Sequence, residues 1–157
     1  MNHCLWLEAR EERFKDDMRT IEIAENNWKQ FCKQVQEICR GGMVTIDLED
    51  AEGTQKRLAE NVPLQGIGLD SKSDPCNTNV FIEAGLPGKK PLMHLVIEPI
   101  HIRLRNDRDE RRFNQLEIIA ENGTTIVELH PGLSGTELKK LESTCGKAQR
   151  QTERQIR

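Results

Sequence analysis

Six basic side chains that could bind an anion lie between residues 101 and 112. A strand after Pro99 would project the first three to one face, opposite the apolar residues of the same strand, and the other three follow in the next loop. The set is His101, Arg103, Arg105, Arg108, Arg111 and Arg112. Guanidinium groups bind phosphate and carboxylate groups through paired hydrogen bonds. The sequence therefore predicts a candidate site for an anion, a phosphorylated ligand or a nucleic-acid backbone.

The same segment allows a second interpretation, in which its charges are neutralised within the fold. Asp107, Asp109 and Glu110 interleave with the arginines, and no aromatic platform for base stacking lies nearby. Because opposite charges pair across strands, the arginines could instead form a salt-bridged surface that faces the acidic strand containing Asp47 and Glu49. Nucleic-acid binding is compatible with the segment but is not the favoured interpretation.

The other residues that could do chemistry do not form a catalytic or metal-binding motif. Asp47 and Glu49 could hold a cation through oxygen ligands, but a solvated strand face is the favoured explanation of their alternation. The four histidines show no spacing typical of zinc ligands. We predict no catalytic residue, no metal site and no cofactor, and we favour a protein that is not an enzyme. A metal-assisted hydrolase whose site is not visible in the sequence is the open alternative.

Composition and charge are those of a single globular domain. The 157 residues are 36% hydrophobic and 31% charged, with a formal net charge of −3 at pH 7. That balance argues against a disordered polyelectrolyte and against a dedicated nucleic-acid binder. Five cysteines without a C-x-x-C pair do not form a disulfide framework, so the expected location is a reducing cytoplasm. No apolar run approaches the roughly 20 residues that a membrane helix needs, and no membrane partner is expected.

The elements that must position these residues are predicted from hydrophobic periodicity. A helix from about Asn27 to Arg40 has apolar residues at spacings of three and four and ends at Gly41-Gly42. Alternating apolar and polar residues predict half-buried strands, and Asn122-Gly123 predicts the turn of a hairpin. Within the extended segment from Leu92 to Arg105, Pro99 predicts a break, because proline cannot donate a hydrogen bond to a sheet.

Together these elements predict an α+β fold. The helix would pack on a mostly antiparallel, twisted sheet of six or seven strands, which could curl towards a half-barrel. The S-x-x-E spacing from Ser134 to Glu137 matches a capping box and predicts an additional C-terminal helix. The expected division is a charged N-terminal extension over residues 1–18, one domain over 19–133, and a partly frayed helical tail over 134–157.

Several short motifs follow one another in a fixed order. They are Thr20-Ile21-Glu22-Ile23, Trp28-x-x-Phe31, Pro63-Leu64-Gln65-Gly66-Ile67 with Asp70, His94-x-x-Ile97-x-x-Pro99 with Ile102-x-Leu104, Leu116-Glu117-Ile118, and Asn122-Gly123-Thr124-Thr125. In this order they resemble a small bacterial family of uncharacterised proteins, a domain of unknown function, over about residues 19–130. The resemblance implies a compact, soluble bacterial domain and carries no activity with it.

The leading functional hypothesis is a non-enzymatic binding or accessory module that acts through a sheet face, a sheet edge or the C-terminal helix. A regular core pattern without a catalytic constellation motivates it. An apolar seam of Leu138, Leu141 and Cys145 predicts a protein partner or weak self-association through the C-terminal helix. The alternatives are phosphate or nucleic-acid binding through the arginine-rich strand and loop, and the metal-assisted hydrolase.

Overall fold

The computed structural model describes residues 20–70, 78–106 and 112–134, together with Thr136, Glu137 and Lys139. Strands make up 60% of these described residues. The strands are β1 (Thr20–Ile23), β2 (Met43–Asp50), β3 (Gln55–Asp70), β4 (Asn79–Ala84), β5 (Leu92–Val96), β6 (His101–Asn106), β7 (Phe113–Ala120) and β8 (Gly123–Leu133). Between β1 and β2, a single 3-10 turn (Glu25–Asn27) leads into helix α1 (Trp28–Cys39).

The eight described strands form one antiparallel sheet in the order β1-β6-β7-β8-β2-β3-β4-β5. Strands β1 and β5 are therefore its two edges. Three strands separate β5 from β8 in this order, and yet Nε2 of His94 lies 3.0 Å from Oγ1 of Thr125. Because neighbouring strands in a flat sheet lie about 4.8 Å apart, the sheet must curl until the inner faces of β5 and β8 meet.

Helix α1 and the inner face of the sheet share one hydrophobic core. The apolar side chains Trp28, Phe31 and Val35 are buried, since spacings of three and four place them on one side of the helix. They belong to the same cluster as Ile46 of β2 and Ile23 of β1. Nε1 of Trp28 also donates a hydrogen bond to the Ile23 carbonyl at 3.0 Å, which fixes the start of the helix against β1.

The predicted helix agrees with α1 to within one residue at each end. Its end is a glycine turn, because Gly41 has a φ of +85°, a conformation that side chains other than glycine's disfavour. The Gly41 N–H donates to the Leu64 carbonyl, and the Leu64 N–H donates to the Gly42 carbonyl, so this turn ties the helix to β3. Asn27 occupies the capping position at the start of α1, but its side chain makes no capping hydrogen bond to the helix.

The predicted α+β fold with six or seven strands is wrong, because the described chain is mostly sheet and has eight strands. The segment from Leu92 to Arg105 forms two strands that lie far apart in the sheet: β5 pairs with β4, while β6 lies between β1 and β7. Strand β3 also begins earlier than its apolar pattern indicates. Its polar residues from Gln55 onward pair with β2, which satisfies backbone groups whatever the side chains are.

The predicted fold class with a C-terminal helix is also wrong, since no such helix is among the elements of the described residues, although Thr136, Glu137 and Lys139 have helical backbone. The reciprocal hydrogen bonds of the capping box are present, from Ser134 N to Glu137 Oε1 at 2.8 Å and from Glu137 N to Ser134 Oγ at 3.2 Å. A capping box specifies only the first turn of a helix. The apolar seam predicted for this helix lies outside the described residues.

The hairpin of β7 and β8 is formed, but its turn lies one residue earlier than predicted. Ala120 pairs with Gly123, so Glu121 and Asn122 are the turn residues. A type I′ turn, the type that Asn-Gly favours, needs positive φ at both central residues. Among the described non-glycine residues positive φ occurs at Asn61 and Glu98, so this turn is not of type I′. Gly123 is required for another reason, because a Cβ there would lie 2.7 Å from the Glu49 carbonyl oxygen.

Candidate functional site

Strand β6 carries the first half of the basic set predicted from the sequence. Its alternation is as expected, with His101, Arg103 and Arg105 on one face and the buried Ile102 and Leu104 on the other. All three basic side chains are partly exposed. Whether a ligand could use these charges therefore depends on the contacts that the three side chains make on the outer face of β6.

Two of these side chains converge on one carboxylate of the neighbouring edge strand β1. Nε of Arg103 donates to Oε1 of Glu22 at 2.6 Å, and Nδ1 of His101 lies 2.9 Å from Oε2 of Glu22. The register explains the meeting, because Glu22 pairs with Arg103 across the two strands. Both oxygens of Glu22 are thus engaged by β6.

The electrostatics of Glu22 reflect this double contact. Its partial burial alone would raise the pKa of Glu22, but hydrogen bonds from Arg103 and His101, and then their charges, outweigh burial. The net result is a Glu22 pKa below its usual value. The carboxylate therefore stays ionised and neutralises positive charge on β6.

Arg105 has a separate carboxylate partner on β7. Its Nη1 donates to Oε2 of Glu117 at 2.7 Å, and Glu117 is 9% exposed. A charge buried to this degree needs a partner, since desolvation without one is costly. Arg105 therefore serves to compensate a buried carboxylate of the sheet.

The remaining members of the basic set do not extend this surface within the described residues. Nη1 of Arg112 donates to the Gly132 carbonyl at 3.2 Å, away from Glu22. Arg108 and Arg111 lie outside the described residues. The structure thus brings His101 and Arg103 together, places Arg105 and Arg112 on other partners, and leaves anion binding by the full set a prediction.

The acidic strand does not face the arginines, so the predicted pairing between them is wrong. It is β2, and β7 and β8 lie between β2 and β6. Its acids have partners on β3 instead. Nε of Arg57 donates to Oδ1 of Asp47 at 2.9 Å, and Nε2 of Gln55 donates to Oε2 of Glu49 at 3.0 Å.

A cleft of about 450 Å³ lies where the end of α1 meets the end of β8. Arg112, His130 and Glu137 line it together with Cys39. Burial, followed by the negative charge of Glu137, raises the pKa of the Cys39 thiol to about 11. Only the thiolate is a good nucleophile, so this cleft does not present a reactive cysteine.

The opposite edge of the sheet has a different character, which the sequence-based search for charged residues missed. On β5 and just after it, Met93, Leu95 and Ile97 alternate on the outer face and are 61%, 41% and 53% exposed. Ile100, an apolar residue of the strand expected after Pro99, lies just before β6 and is 53% exposed as well. Four of the six large hydrophobic side chains exposed in the described chain therefore lie within residues 93–100.

The same edge is uncharged and has no strand beside it. Residues 92–97 read Leu-Met-His-Leu-Val-Ile and contain no lysine, arginine or acidic residue. Strand β4 pairs with one side of β5, and no described strand pairs with the other side. The signal available in the sequence was the i, i+2, i+4 alternation of apolar residues, but it does not tell a buried face from an exposed one.

A small cleft of about 180 Å³ adjoins β5 on its inner side. Strand β5 forms one wall, and the β7–β8 turn and the end of β2, with Glu49 and Asp50, form the other. His94 reaches across to Thr125 at this point. Burial lowers the pKa of His94, so its imidazole is neutral at physiological pH and acts as a hydrogen-bonding group.

Two further features are absent from the described residues. No group of three or more His, Cys, Asp or Glu side chains among them could hold a metal ion. No helix in the described part of the chain is long and apolar enough to cross a membrane.

Comparison with known proteins identifies one family. The model of a family of unknown function (DUF5335) matches residues 19–138, which confirms the resemblance to a domain of unknown function. No curated protein and no solved structure matches the chain.

Proposed function

Because the chain belongs to the DUF5335 family, whose function is unknown, we propose a function from the geometry: a binding module that takes an extended protein segment onto edge strand β5. The added segment would become the next strand of the sheet, a recurring mode of peptide recognition. The observation that carries the proposal is the uncharged edge, with its row of exposed Met93, Leu95 and Ile97.

Physical chemistry makes such an edge unusual in a protein without a partner for it. A free edge strand offers unpaired N–H and C=O groups to other chains, and natural proteins protect such edges with charges, proline, bulges or short strands. Strand β5 has five residues and no charged side chain. Backbone hydrogen bonds would supply affinity, and the apolar row would select apolar residues at alternate positions of the bound segment.

An anion-binding role for β6 is less favoured, because its two arginines already have carboxylate partners. Arg103 and Arg105 each hold a carboxylate at 2.6 and 2.7 Å, so an incoming phosphate would have to compete with Glu22 or Glu117. The predicted cytoplasmic location remains part of the proposal, since the two described cysteines, Cys32 and Cys39, are free thiols and a reducing compartment keeps thiols free.

A selection from random peptides tests the proposal even though the partner is unidentified. The full chain would be immobilised at low density, and short peptides displayed on phage would be selected on it. We expect enriched peptides to carry apolar residues at alternate positions, and we expect binding of a labelled peptide to slow hydrogen exchange of the β5 amides. Exchange protection distinguishes strand addition from adhesion to an apolar patch.

Two variants serve as a matched pair in this experiment. Leu95→Lys places a charge in the middle of the edge, and Met43→Lys places the same charge at another exposed apolar position, on β2. Peptides should lose at least about tenfold in affinity for the first variant and bind the second as they bind the wild-type chain. A selection that enriches no peptide, or peptides that bind Leu95→Lys unchanged, would contradict the proposal.

A further inference from the structure

Resting on the proposed function of β5, we propose that the segment added to this edge is β5 of a second copy of the chain. The two strands would run antiparallel about a two-fold axis and join the eight described strands of each copy into one continuous sheet. A two-fold interface uses the same patch on both subunits, so the patch must be complementary to itself. The sequence around β5 meets that requirement in its faces, its apolar residues and its charges.

The alternation of faces limits the register of the pair. Paired residues of two strands point to the same face, and a slip by one residue would reverse every side chain. On β5, Met93 and Leu95 point outward, while Ile82, the neighbour of His94 on β4, is buried in the core. An outward residue must therefore meet an outward residue, which requires a register centred on a residue: His94, the middle residue of β5, or one of its neighbours Met93 and Leu95.

The bounds of β5, together with its flanking charges, select among these registers. Centred on His94, the pair matches all five residues of β5, whereas centring on Met93 or Leu95 leaves two residues of each strand unpaired. It also brings Lys90, which precedes one strand, towards Glu98, which follows the other with a φ of +46° outside the extended backbone. Opposite charges at adjoining strand ends attract each other. The His94-centred register is therefore the favoured one.

The apolar residues also match in the His94-centred register. Met93 of one copy meets Leu95 of the other on the outer face, and Leu92 meets Val96 on the inner face. The outer pair removes exposed side-chain surface from water, the main source of association energy, because Met93 and Leu95 are 61% and 41% exposed, whereas Val96 of the inner pair is already buried. The two His94 residues meet on the axis, where each imidazole is already hydrogen-bonded to Thr125 of its own copy.

The basic residues before β5 add a second match of charge. Lys89 and Lys90 precede the strand, and in an antiparallel pair they reach the end of the neighbouring β5. At that end lies the cleft of about 180 Å³ lined by Ile97, Glu49 and Asp50. A parallel pair would instead bring lysines to lysines, so charge favours the antiparallel arrangement.

The first test is the mass of the full chain in solution. Sedimentation equilibrium over a series of concentrations should show a monomer of 18.0 kDa in equilibrium with a dimer. Leu95→Lys should raise the dimer dissociation constant at least about tenfold, and Met43→Lys should leave it unchanged. Circular dichroism should show that both variants keep the wild-type sheet signal.

A charge exchange tests the register itself. Lys90→Glu and Glu98→Lys should each weaken the dimer, because each creates two like-charge pairs across the axis. The double variant with both changes restores opposite charges at both ends and should recover the dissociation constant of the wild-type chain. Rescue of this kind is specific for two residues that interact with each other.

The outcomes separate this inference from the proposed function. A chain that is monomeric at every concentration, but whose β5 binds selected peptides, would overturn the second copy as occupant and leave strand addition in place. A monomeric chain that also selects no peptide would overturn both. A dimer that tolerates Leu95→Lys, or that disappears only when residues 134–157 are deleted, would place the interface elsewhere and overturn the inference.

Discussion

The two edge strands of the sheet differ in how well their side chains protect them from pairing with another chain. The β1 end has a short strand of four residues, and its outer face carries the contacts of Glu22 with His101 and Arg103. The β5 end carries exposed apolar side chains and no charge between residues 92 and 97. Both strands belong to one sheet and close over one core.

The difference shows that many charged groups and a binding surface need not coincide. At the β1 end the charged groups pair with one another within the fold, so a ligand would have to compete with these ion pairs. At the β5 end no described strand pairs with the side of β5 away from β4, and the apolar side chains are exposed, so contact with another chain would lower the free energy of these groups. The uncharged β5 edge is therefore the better candidate for a binding surface.

The largest expected effect is the difference in stability between truncating a buried residue at the β1 end of the sheet and truncating an exposed residue at the β5 end. Leu104→Ala removes a buried side chain of β6 and should lower the free energy of unfolding by about 2–5 kcal/mol. Leu95→Ala, on the exposed face of β5, should cost less than about 1 kcal/mol. Urea denaturation of both variants in dilute solution measures the two values. Equal losses of stability would contradict the assignment of Leu104 to the inner face and of Leu95 to the outer face.

The next effect concerns the ionic end. Glu117→Gln leaves Arg105 with a neutral partner inside the sheet and should lower the free energy of unfolding by about 1–3 kcal/mol. Glu60→Gln breaks a contact with Arg57 at the exposed surface and serves as the control, for which little change is expected. Chemical denaturation of the two variants makes the comparison. A larger loss for the control would show that the Glu117 pair does not support the sheet.

The third prediction concerns pH and the β5 end. Because burial lowers the folded-state pKa of His94 from its ordinary 6.5, the unfolded chain takes up a proton first as pH falls. Stability due to neutral His94 is full above pH 6.5 and is lost as pH falls through 6.5 and towards the folded pKa. The groups around His94 include the Thr125 hydroxyl, and Glu49 and Asp50 line the same cleft.

The measurement is urea denaturation from about pH 8 to about pH 5. His94→Gln keeps a hydrogen-bonding side chain and should make the stability less dependent on pH than in the wild-type chain. Identical pH profiles for the two chains would contradict a neutral, buried His94. A wild-type chain that gains stability relative to the variant as pH falls would show that the folded-state pKa of His94 is raised rather than lowered.

The smallest effect is expected at the exposed ion pairs of the β1 end. Glu22→Gln should change the free energy of unfolding by no more than about 1 kcal/mol, because exposed pairs lose much of their interaction energy to water. The change should shrink further in high salt. Glu25→Gln, which removes a carboxylate from the 3-10 turn, is the matched control. A loss well above that of the control in high salt would show that the Glu22 cluster is structural.

Local patterns in the sequence were sufficient for part of this fold. The helix from Asn27 to Arg40 was predicted to within one residue, because three- and four-residue spacing and a double glycine are short-range signals. The alternation that buries Leu104 was also correct. Polar residues from Gln55 onward were not recognised as strand, because only their pairing with β2 keeps them extended.

The candidate site shows the same limit more sharply. The sequence drew attention to His101, Arg103 and Arg105 but could not name their carboxylate partners. Glu22 lies 81 residues from Arg103 in the chain and pairs with it only in the folded sheet. The sequence likewise could not show that Leu95 is exposed, because exposure depends on which strand has no neighbour.

The sequence alone determined the helix, the alternation of β6 and the existence of the hairpin, because these depend on residues within a few positions of one another. The tertiary structure decided the strand order, the partners of the arginines and the position of β5 at the edge. These depend on pairings between distant segments, in which backbone groups of any residue type can take part. The edge formed by Met93, Leu95 and Ile97 is therefore a property of the sheet, although every residue in it was visible from the start.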